Sequence, residues 1–304
     1  MDDKNLKESN RITAKRLWIY LAFSFGLTWS VFFAFILAGF RWDMNSPLVP
    51  LVSLAMLCPA IAALLTRQVT REGFALVGDD SLLLGISFKN RKWIWYLVAL
   101  LLPWLYIEAG NACTLLFSPE AFDLGNPARL EMAEENRVVI YLQPFFTIIT
   151  SAMASFAALG EEAGWRAYMM PKMIKLWGVK KAIIFGGIIW GIWHWPLTYI
   201  GHNFGTEYWG YPFTGFAMMC IGPTCLGVVL TYITYKSGSI WPATILHAVN
   251  NASPSILQYF INREKITGWK ADSIADFLIS YLPVMILAGF VYIKFVRCKE
   301  IRGR

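Results

Sequence analysis

Long apolar runs separated by short polar segments set the pattern of this chain. They extend over about 17–39, 47–66, 93–117, 138–160, 182–200, 213–235, 242–260 and 277–296. A helix needs about 20 apolar residues to cross a bilayer. The pattern therefore predicts an all-α, polytopic transmembrane bundle of about eight helices, forming a single integral-membrane domain over 1–304. Pro47 and Pro50 are expected to open the second helix, while Pro59 and Pro103 are expected to kink the second and third. No fixed-period repeat is present, and no second soluble domain fits in the longest loops, about 67–92 and 118–137. The first run follows Lys4, Lys7, Arg11, Lys15 and Arg16 and ends at Gly39-Phe40-Arg41, which is not a small-residue cleavage site. It is read as a retained helix rather than a signal peptide.

Composition supports the membrane reading. With 57% hydrophobic and only 15% charged residues in 304, the chain is too apolar for a soluble globular protein. Lys and Arg are distributed unevenly among the loops. Besides the N-terminal five, one side receives Arg67, Arg71, Lys89, Arg91, Lys92, Arg166, Lys172, Lys175, Lys180, Lys181, Lys236, Lys294, Arg297, Lys299, Arg302 and Arg304. The other side receives Arg41, Arg129, Arg137, Arg263, Lys265 and Lys270. Positive loops stay in the cytoplasm, so both termini are expected there, and the net charge of +7 is accounted for by basic loops against anionic lipid. No loop mixes aromatics with a long basic run, which argues against a nucleic-acid partner. Cys58, Cys113, Cys220, Cys225 and Cys298 form no C-x-x-C pair and read as small core residues, with Cys298 too far from the end for prenylation. The acidic segment Ser118–Arg137, with Glu120, Asp123, Glu131, Glu134 and Glu135, is expected to be a solvated exterior loop with a short surface helix.

The candidate chemistry lies in polar residues set among apolar runs between about 155 and 251. Glu161, Glu162 and Arg166 come first. On a helix Glu162 and Arg166 are four apart, in the favourable order for an ion pair. Glu161 is then the carboxylate left over, a candidate general base. A hydrated helix end accounts for these three charges equally well. His194 stands among Trp190, Trp193 and Trp195, with Trp190 one turn before it. His247 and Asn251 are also one turn apart and face the same space, whereas Asn250 is turned by about 100° toward backbone or a neighbouring helix. His202 falls in a Gly- and Asn-rich exterior loop and is expected to be solvated. Glu108, in the third run, is placed near the outer interface, with a place in the same polar cavity as the alternative.

Two readings of the cluster remain open. Glu161, His194 and His247 suit a divalent metal such as zinc. Alternatively, Glu161 holds a water while the histidines and Asn251 stabilise an oxyanion. H-E-x-x-H is absent, which weighs against an ordinary zinc protease. A non-catalytic membrane immunity protein or a small-ion transporter would use the same cluster, although no inverted repeat supports transport. One tension remains: Glu161 near the inner end of the fourth run and His194 about 18 Å into the fifth lie at different depths. Extending the fourth helix past Tyr168 reconciles them.

Glu161-Glu162-x-x-x-Arg166, then Trp190-x-x-x-His194, then His247-x-x-x-Asn251, in that order over roughly 155–251, resembles the CPBP family of intramembrane proteases. The family includes type II CAAX prenyl endopeptidases and bacteriocin-processing or self-immunity proteins. Cys58-Pro-Ala-Ile-Ala-Ala-Leu-Leu adds weaker support, and Trp190 departs from the usual phenylalanine. The resemblance implies a cytosol-facing catalytic cavity in a bacterial plasma membrane and an endopeptidase acting on a membrane-associated or lipidated protein, or on a bacteriocin leader. Glu161 is then the water-activating base, Glu162 and Arg166 its structural companions with Trp190 as packing aromatic, and His194, His247 and Asn251 complete the site. It leaves open a metal-dependent or a purely glutamate-activated mechanism.

Overall fold

The computed structural model describes residues 3–43, 46, 49–78, 80–126, 129–131, 138–153 and 155–297. Pro47, Glu134, Glu135, Arg137, Cys298, Lys299, Arg302 and Arg304 lie outside these. Among the described residues the architecture is all-helical, with one isolated bridge between Phe122 and Ile261. The main helices are α1 (Asp3–Leu37), α2 (Cys58–Thr70), α3 (Trp93–Phe117), α4 (Val139–Met153), α5 (Phe156–Glu162), α6 (Met170–Trp193), α7 (Phe213–Ser237), α8 (Trp241–Ala252), α9 (Ser273–Ser280) and α10 (Leu282–Val296), with short α-helical pieces at Val49–Leu54 and Trp195–Tyr199.

Four helical segments are long and apolar enough to cross a membrane: Asp3–Leu37, Lys89–Phe117, Phe156–Trp193 and Phe213–Ser237. The pair α9 and α10, bent by 49°, adds a fifth if it counts as one span. The protein is thus an integral membrane protein, but the expected count of about eight spans does not carry over run by run. Pro59 opens α2 rather than kinking it, as its fixed φ and missing N–H allow at a helix start. The run at 138–160 divides, so that α4 ends at Met153 and a new helix begins at Phe156. The run at 242–260 is only a 12-residue helix, α8, followed by turns.

The largest departure concerns the segment after Glu162. Instead of ending there, the helix widens into a π-helical stretch, Ala163–Met169, and runs on into α6. At Gly178, with φ 71° and ψ 164°, the backbone leaves helical geometry and the chain folds back. A straight helix would separate residues 161 and 190 by about 44 Å, yet Trp190 Nε1 lies 2.6 Å from Glu161 Oε2. Trp165 and Trp193 likewise meet edge to face at 5.8 Å. The sequence's depth conflict between Glu161 and His194 is resolved by this antiparallel hairpin. The helix does extend past Tyr168, and the return arm brings His194 back to the level of the glutamates.

Around the hairpin, α7 lies along α6, α8 sits against α3, α4, α5 and α7, and α1 covers α2 and α6. The largest apolar cluster joins Leu17 and Tyr20 of α1, Ala62 and Ala63 of α2, Trp165 and Tyr168 of the π-helical stretch, and Leu226 and Leu230 of α7. Between helices in lipid such packing acts through close van der Waals contact.

The exterior segment from Ser118 is not simply solvated. Asn262 N donates to Ala121 O at 2.8 Å and Asp123 N to Phe260 O at 2.9 Å, while Lys265 and Lys270 pair with Asp123 and Glu120 at 2.9 and 2.7 Å. The cations that the sequence assigns to its positive-poor side thus join these two segments. His202 also departs from expectation. Its ring stands edge-on to Trp42 at 4.5 Å, and its Nδ1 is buried without a partner.

The hairpin turn makes a direct prediction. The backbone of Gly178 occupies a region open almost only to glycine, at a cost of about 1–3 kcal/mol for other residues, and nothing lies within 4 Å of where a Cβ would stand. Gly178→Ala should therefore destabilise the protein by about that amount through backbone strain alone. The readout is the thermal unfolding midpoint in detergent, and an unchanged midpoint would show that this turn does not form.

Candidate active site

Glu162 is fully buried, and its partners come from the next helical turn and from a helix far along the chain. Arg166 Nη1 donates to its Oε1 at 3.3 Å, and Arg166 Nε stands 3.3 Å from Oε2 as an ion pair without hydrogen-bond geometry. His247 Nδ1, from α8, lies 2.8 Å from Oε1. The expected Glu162–Arg166 pair is therefore present, with a third member that local spacing does not reveal. The guanidinium of Arg166 sits over the Trp190 ring, 4.0 Å from its centroid. Both the carboxylate and the aromatic face offset the cost of keeping this cation away from water.

Glu161, 2% exposed, turns the other way. Its Oε2 accepts from Trp190 Nε1 at 2.6 Å, and Oε1 accepts nothing among the described residues. The sequence left Glu161 as the unpaired carboxylate. In the structure it is unpaired by cations but oriented by an indole.

The two histidines have defined tautomers. His194, at the end of α6, places Nδ1 2.8 Å from the carbonyl oxygen of Trp190. A carbonyl only accepts, so Nδ1 carries the proton and Nε2 holds the free position. Facing a carboxylate, His247 Nδ1 is a donor as well, which again leaves Nε2 for other partners. Trp190 lies between them, with ring centroids 5.8 Å from His194 and 5.4 Å from His247. Trp193 closes on His194 from its other side at 4.7 Å.

Six of the seven residues singled out by sequence thus converge: Glu161, Glu162, Arg166, Trp190, His194 and His247. Asn251 stands apart. It is exposed one turn beyond His247, and its Oδ1 accepts from Asn250 Nδ2 at 3.3 Å. Asn250 behaves as its rotation predicts, accepting from Tyr106 OH of α3 at 2.7 Å.

The donors do not fit a metal. Among the described residues no three His, Cys, Asp or Glu side chains are placed to hold one ion. The metalloprotease reading finds no support in this arrangement, and the chemistry below is derived without a metal.

Several supporting residues had no clear sequence signal. Gly164 lets the hairpin touch α2: a Cβ there would stand 2.4 Å from Pro59 Cβ and 2.7 Å from its carbonyl carbon. This is what the Cys58-Pro-Ala segment contributes, a close-packed wall behind the glutamates. Glu108 is outside the cluster, as its placement near the outer interface anticipates. Its carboxylate accepts from Ser255 Oγ at 3.0 Å and from the backbone N–H groups of Ile256 and Leu257, while Asn111 Nδ2 donates to Ser255 Oγ at 2.8 Å. These bonds fasten the chain just after α8.

Comparison with known proteins matches this region. Residues 143–253 fit the family model described as Type II CAAX prenyl endopeptidase Rce1-like. The CAAX prenyl protease 2 of Methanococcus maripaludis is 28% identical over 102 residues, which cover 33% of this chain and 38% of that protein. The match spans well under half of either chain, and the family model's stretch contains all seven residues named above. The resemblance read from the motif order is thereby confirmed.

Removing one partner from a buried charge pair leaves the other uncompensated, at about 3–5 kcal/mol. Arg166→Leu should therefore lower stability by that order, whereas the isosteric Glu161→Gln, which keeps an oxygen for the Trp190 indole, should leave it nearly unchanged. Thermal unfolding of both variants in detergent checks the contrast, and equal midpoints would contradict the division of roles between Glu161 and Glu162.

Proposed function

We propose that this protein is an intramembrane endopeptidase that hydrolyses a peptide bond in a membrane-associated substrate, with Glu161 as the base that activates water. The observation that carries this reading is the pairing pattern of the two adjacent glutamates. Glu162 is engaged by Arg166 and His247, while Glu161 makes no ion pair among the described residues and keeps one oxygen free beside them. A carboxylate held by one indole and not ion-paired among the described residues is suited to take a proton from water.

In this reading the water attacks the scissile carbonyl as Glu161 Oε1 accepts its proton. The carbonyl oxygen becomes an oxyanion, to which Asn251 can offer its amide N–H; His194 and His247, with the proton on Nδ1, can donate from Nε2 only as imidazoliums. Positioned donors of this kind stabilise charge that develops only in the transition state. The proton on Glu161 then passes to the leaving amine. Arg166 and Trp190 act through the glutamates: one fixes Glu162, the other orients Glu161. Asn251 reaches the site only with substrate bound or by rotation about its own side chain, since in this structure it faces Asn250.

The relative in Methanococcus maripaludis is named for prenylated CAAX substrates. A lipidated C-terminus or a bacteriocin leader fits the same catalytic arrangement, because the cluster constrains the peptide bond and not the flanking sequence. The distribution of Lys and Arg supports termini on the cytoplasmic side. That orientation places the Gly178 turn, with its flanking lysines, in the cytosol.

The test uses purified full-length protein in liposomes, incubated with a prenylated CAAX peptide. In parallel, membrane peptidomes of cells carrying wild-type or Glu161→Gln protein are compared. Glu161→Gln should lower cleavage by at least about 10²-fold, the lower range for loss of a general base, and cleavage by the wild type should survive exhaustive chelation. A variant that cuts at the wild-type rate, or peptidomes that do not differ, would remove Glu161 from the role and favour a non-catalytic immunity or transport function.

A further inference from the structure

Tyr106 of α3 carries a buried hydroxyl that the catalytic reading does not use. Its ring is 5% exposed, and its one hydrogen bond among the described residues is donated to Asn250 Oδ1 of α8 at 2.7 Å. Asn250 in turn donates from Nδ2 to Asn251 Oδ1 at 3.3 Å. A chain of hydrogen bonds thus leads from the interior of the bundle to the exposed end of α8. Its last member is the asparagine whose amide N–H the proposed reaction calls on. The first member is well fixed. One turn beyond Tyr106, α3 is in backbone contact with the end of α9, where a Cβ on Gly110 would stand 2.1 Å from Ser280 O.

The direction of the chain follows from the chemistry of that first member. An asparagine amide turned over by 180° fills the same space, so its hydrogen bonds decide which end faces which neighbour. Turned over, Asn250 would donate to Tyr106, and the phenol could accept. The phenol's own proton would then have no acceptor among the described residues, and a buried donor left unmet is the costlier defect. Tyr106 therefore sets Oδ1 of Asn250 toward itself and Nδ2 toward Asn251. Asn251 receives that N–H on its oxygen, so its own Nδ2 keeps both hydrogens for another partner. The reverse setting would present a carbonyl oxygen where developing negative charge needs a donor. Hydrogen bonds in series also polarise one another, which strengthens the terminal N–H as a donor.

We propose that Tyr106 is a positioning residue that acts through Asn250 to set the amide of Asn251, so that Asn251 meets the oxyanion with N–H and not with C=O. The proposal rests on the endopeptidase reading above and requires no contact between Tyr106 and substrate.

The test measures kcat and KM of the full-length protein in liposomes with the prenylated CAAX peptide. Asn251→Ala should lower kcat by about 10²-fold, as for loss of an oxyanion donor. Tyr106→Phe removes only the hydroxyl. It should lower kcat by roughly three- to tenfold, the worth of one hydrogen bond, and leave KM unchanged, as for an effect confined to the transition state. Asn250→Asp offers acceptors alone, which turns the N–H groups of Asn251 inward, and should cost about as much as Asn251→Ala. In an Asn251→Ala background neither Tyr106→Phe nor Asn250→Asp should lower kcat by more than about twofold, because both act through the amide already removed. Losses that persist in that background overturn the relay and make Tyr106 a packing residue. Wild-type kcat in Asn251→Ala also overturns it, while an inactive Glu161→Gln in the same assay keeps the endopeptidase reading; full activity in both removes that reading as well. NMR of protein labelled at asparagine nitrogen needs no substrate. The side-chain amide signals of Asn250 and Asn251, identified by their loss in the two alanine variants, should both move in Tyr106→Phe, and movement of the Asn250 signal alone overturns the proposal.

Discussion

A carboxylate with no access to water sits inside a bundle built for lipid, and much of the centre of this protein follows from compensating it. Glu162 cannot be left alone there, since an uncompensated charge in such a site costs several kcal/mol. Arg166 answers it from the next turn and His247 from a helix more than eighty residues later. Arg166 then needs cover of its own, which the Trp190 ring supplies at 4.0 Å. Each compensation recruits another element: α8 for the histidine, the return arm of α6 for the tryptophan. The fold-back at Gly178 is what allows that arm to reach the glutamates, so a backbone device and a charge requirement settle the same geometry.

The same network separates two chemically identical neighbours. Glu161 and Glu162 are adjacent in sequence and both buried, yet a helical turn of about 100° points them at different partners. Glu162 meets two hydrogen-bond donors at Oε1 and the Arg166 guanidinium, as an ion pair, at Oε2. Glu161 meets one indole N–H at one oxygen. Burial alone would make both costly. Partner choice makes one structural and keeps the other available, and a base needs that availability more than it needs any single pKa.

Much of this was legible in the sequence, and the limits have physical causes. One-turn spacings were readable because a helix brings i and i+4 together wherever it lies, so Glu162–Arg166 and Trp190–His194 both appear as expected. Apolar runs gave the all-helical membrane class for the same local reason. The Glu162–His247 bond was not readable, since nothing in local spacing joins residues so far apart. The apolar run stops short of Glu162 because hydropathy counts every charge as solvated, so the continuation of the helix past Tyr168 was reached only through the depth conflict between Glu161 and His194. Glu161, Glu162, Arg166 and Lys172 end the apolar run on paper, but each is buried with a partner, Lys172 with Glu72 at 3.1 Å. His202 failed in the opposite direction: its loop looked polar, while Trp42 covers it.

The helix carrying His247 shows how such precision is reached with little material. At 12 residues α8 is too short to be stable alone in water and too short to span a bilayer. Its position is therefore set from its ends. At the start, Ile240 N donates to Leu83 O at 3.0 Å and Trp241 Nε1 to Leu84 O at 2.9 Å. At the finish, Tyr106 holds Asn250, and Glu108 with Asn111 gathers Ser255 and the following backbone N–H groups. The long helix α3 thus acts as a rail, and the loop after α2 as a stop. With both ends pinned, α8 has little freedom to slide or turn, and His247 stays within hydrogen-bond reach of Glu162. The exposure of Asn251 follows from the same arrangement. It falls just inside the pinned end, past the last residue of α8 that α3 holds.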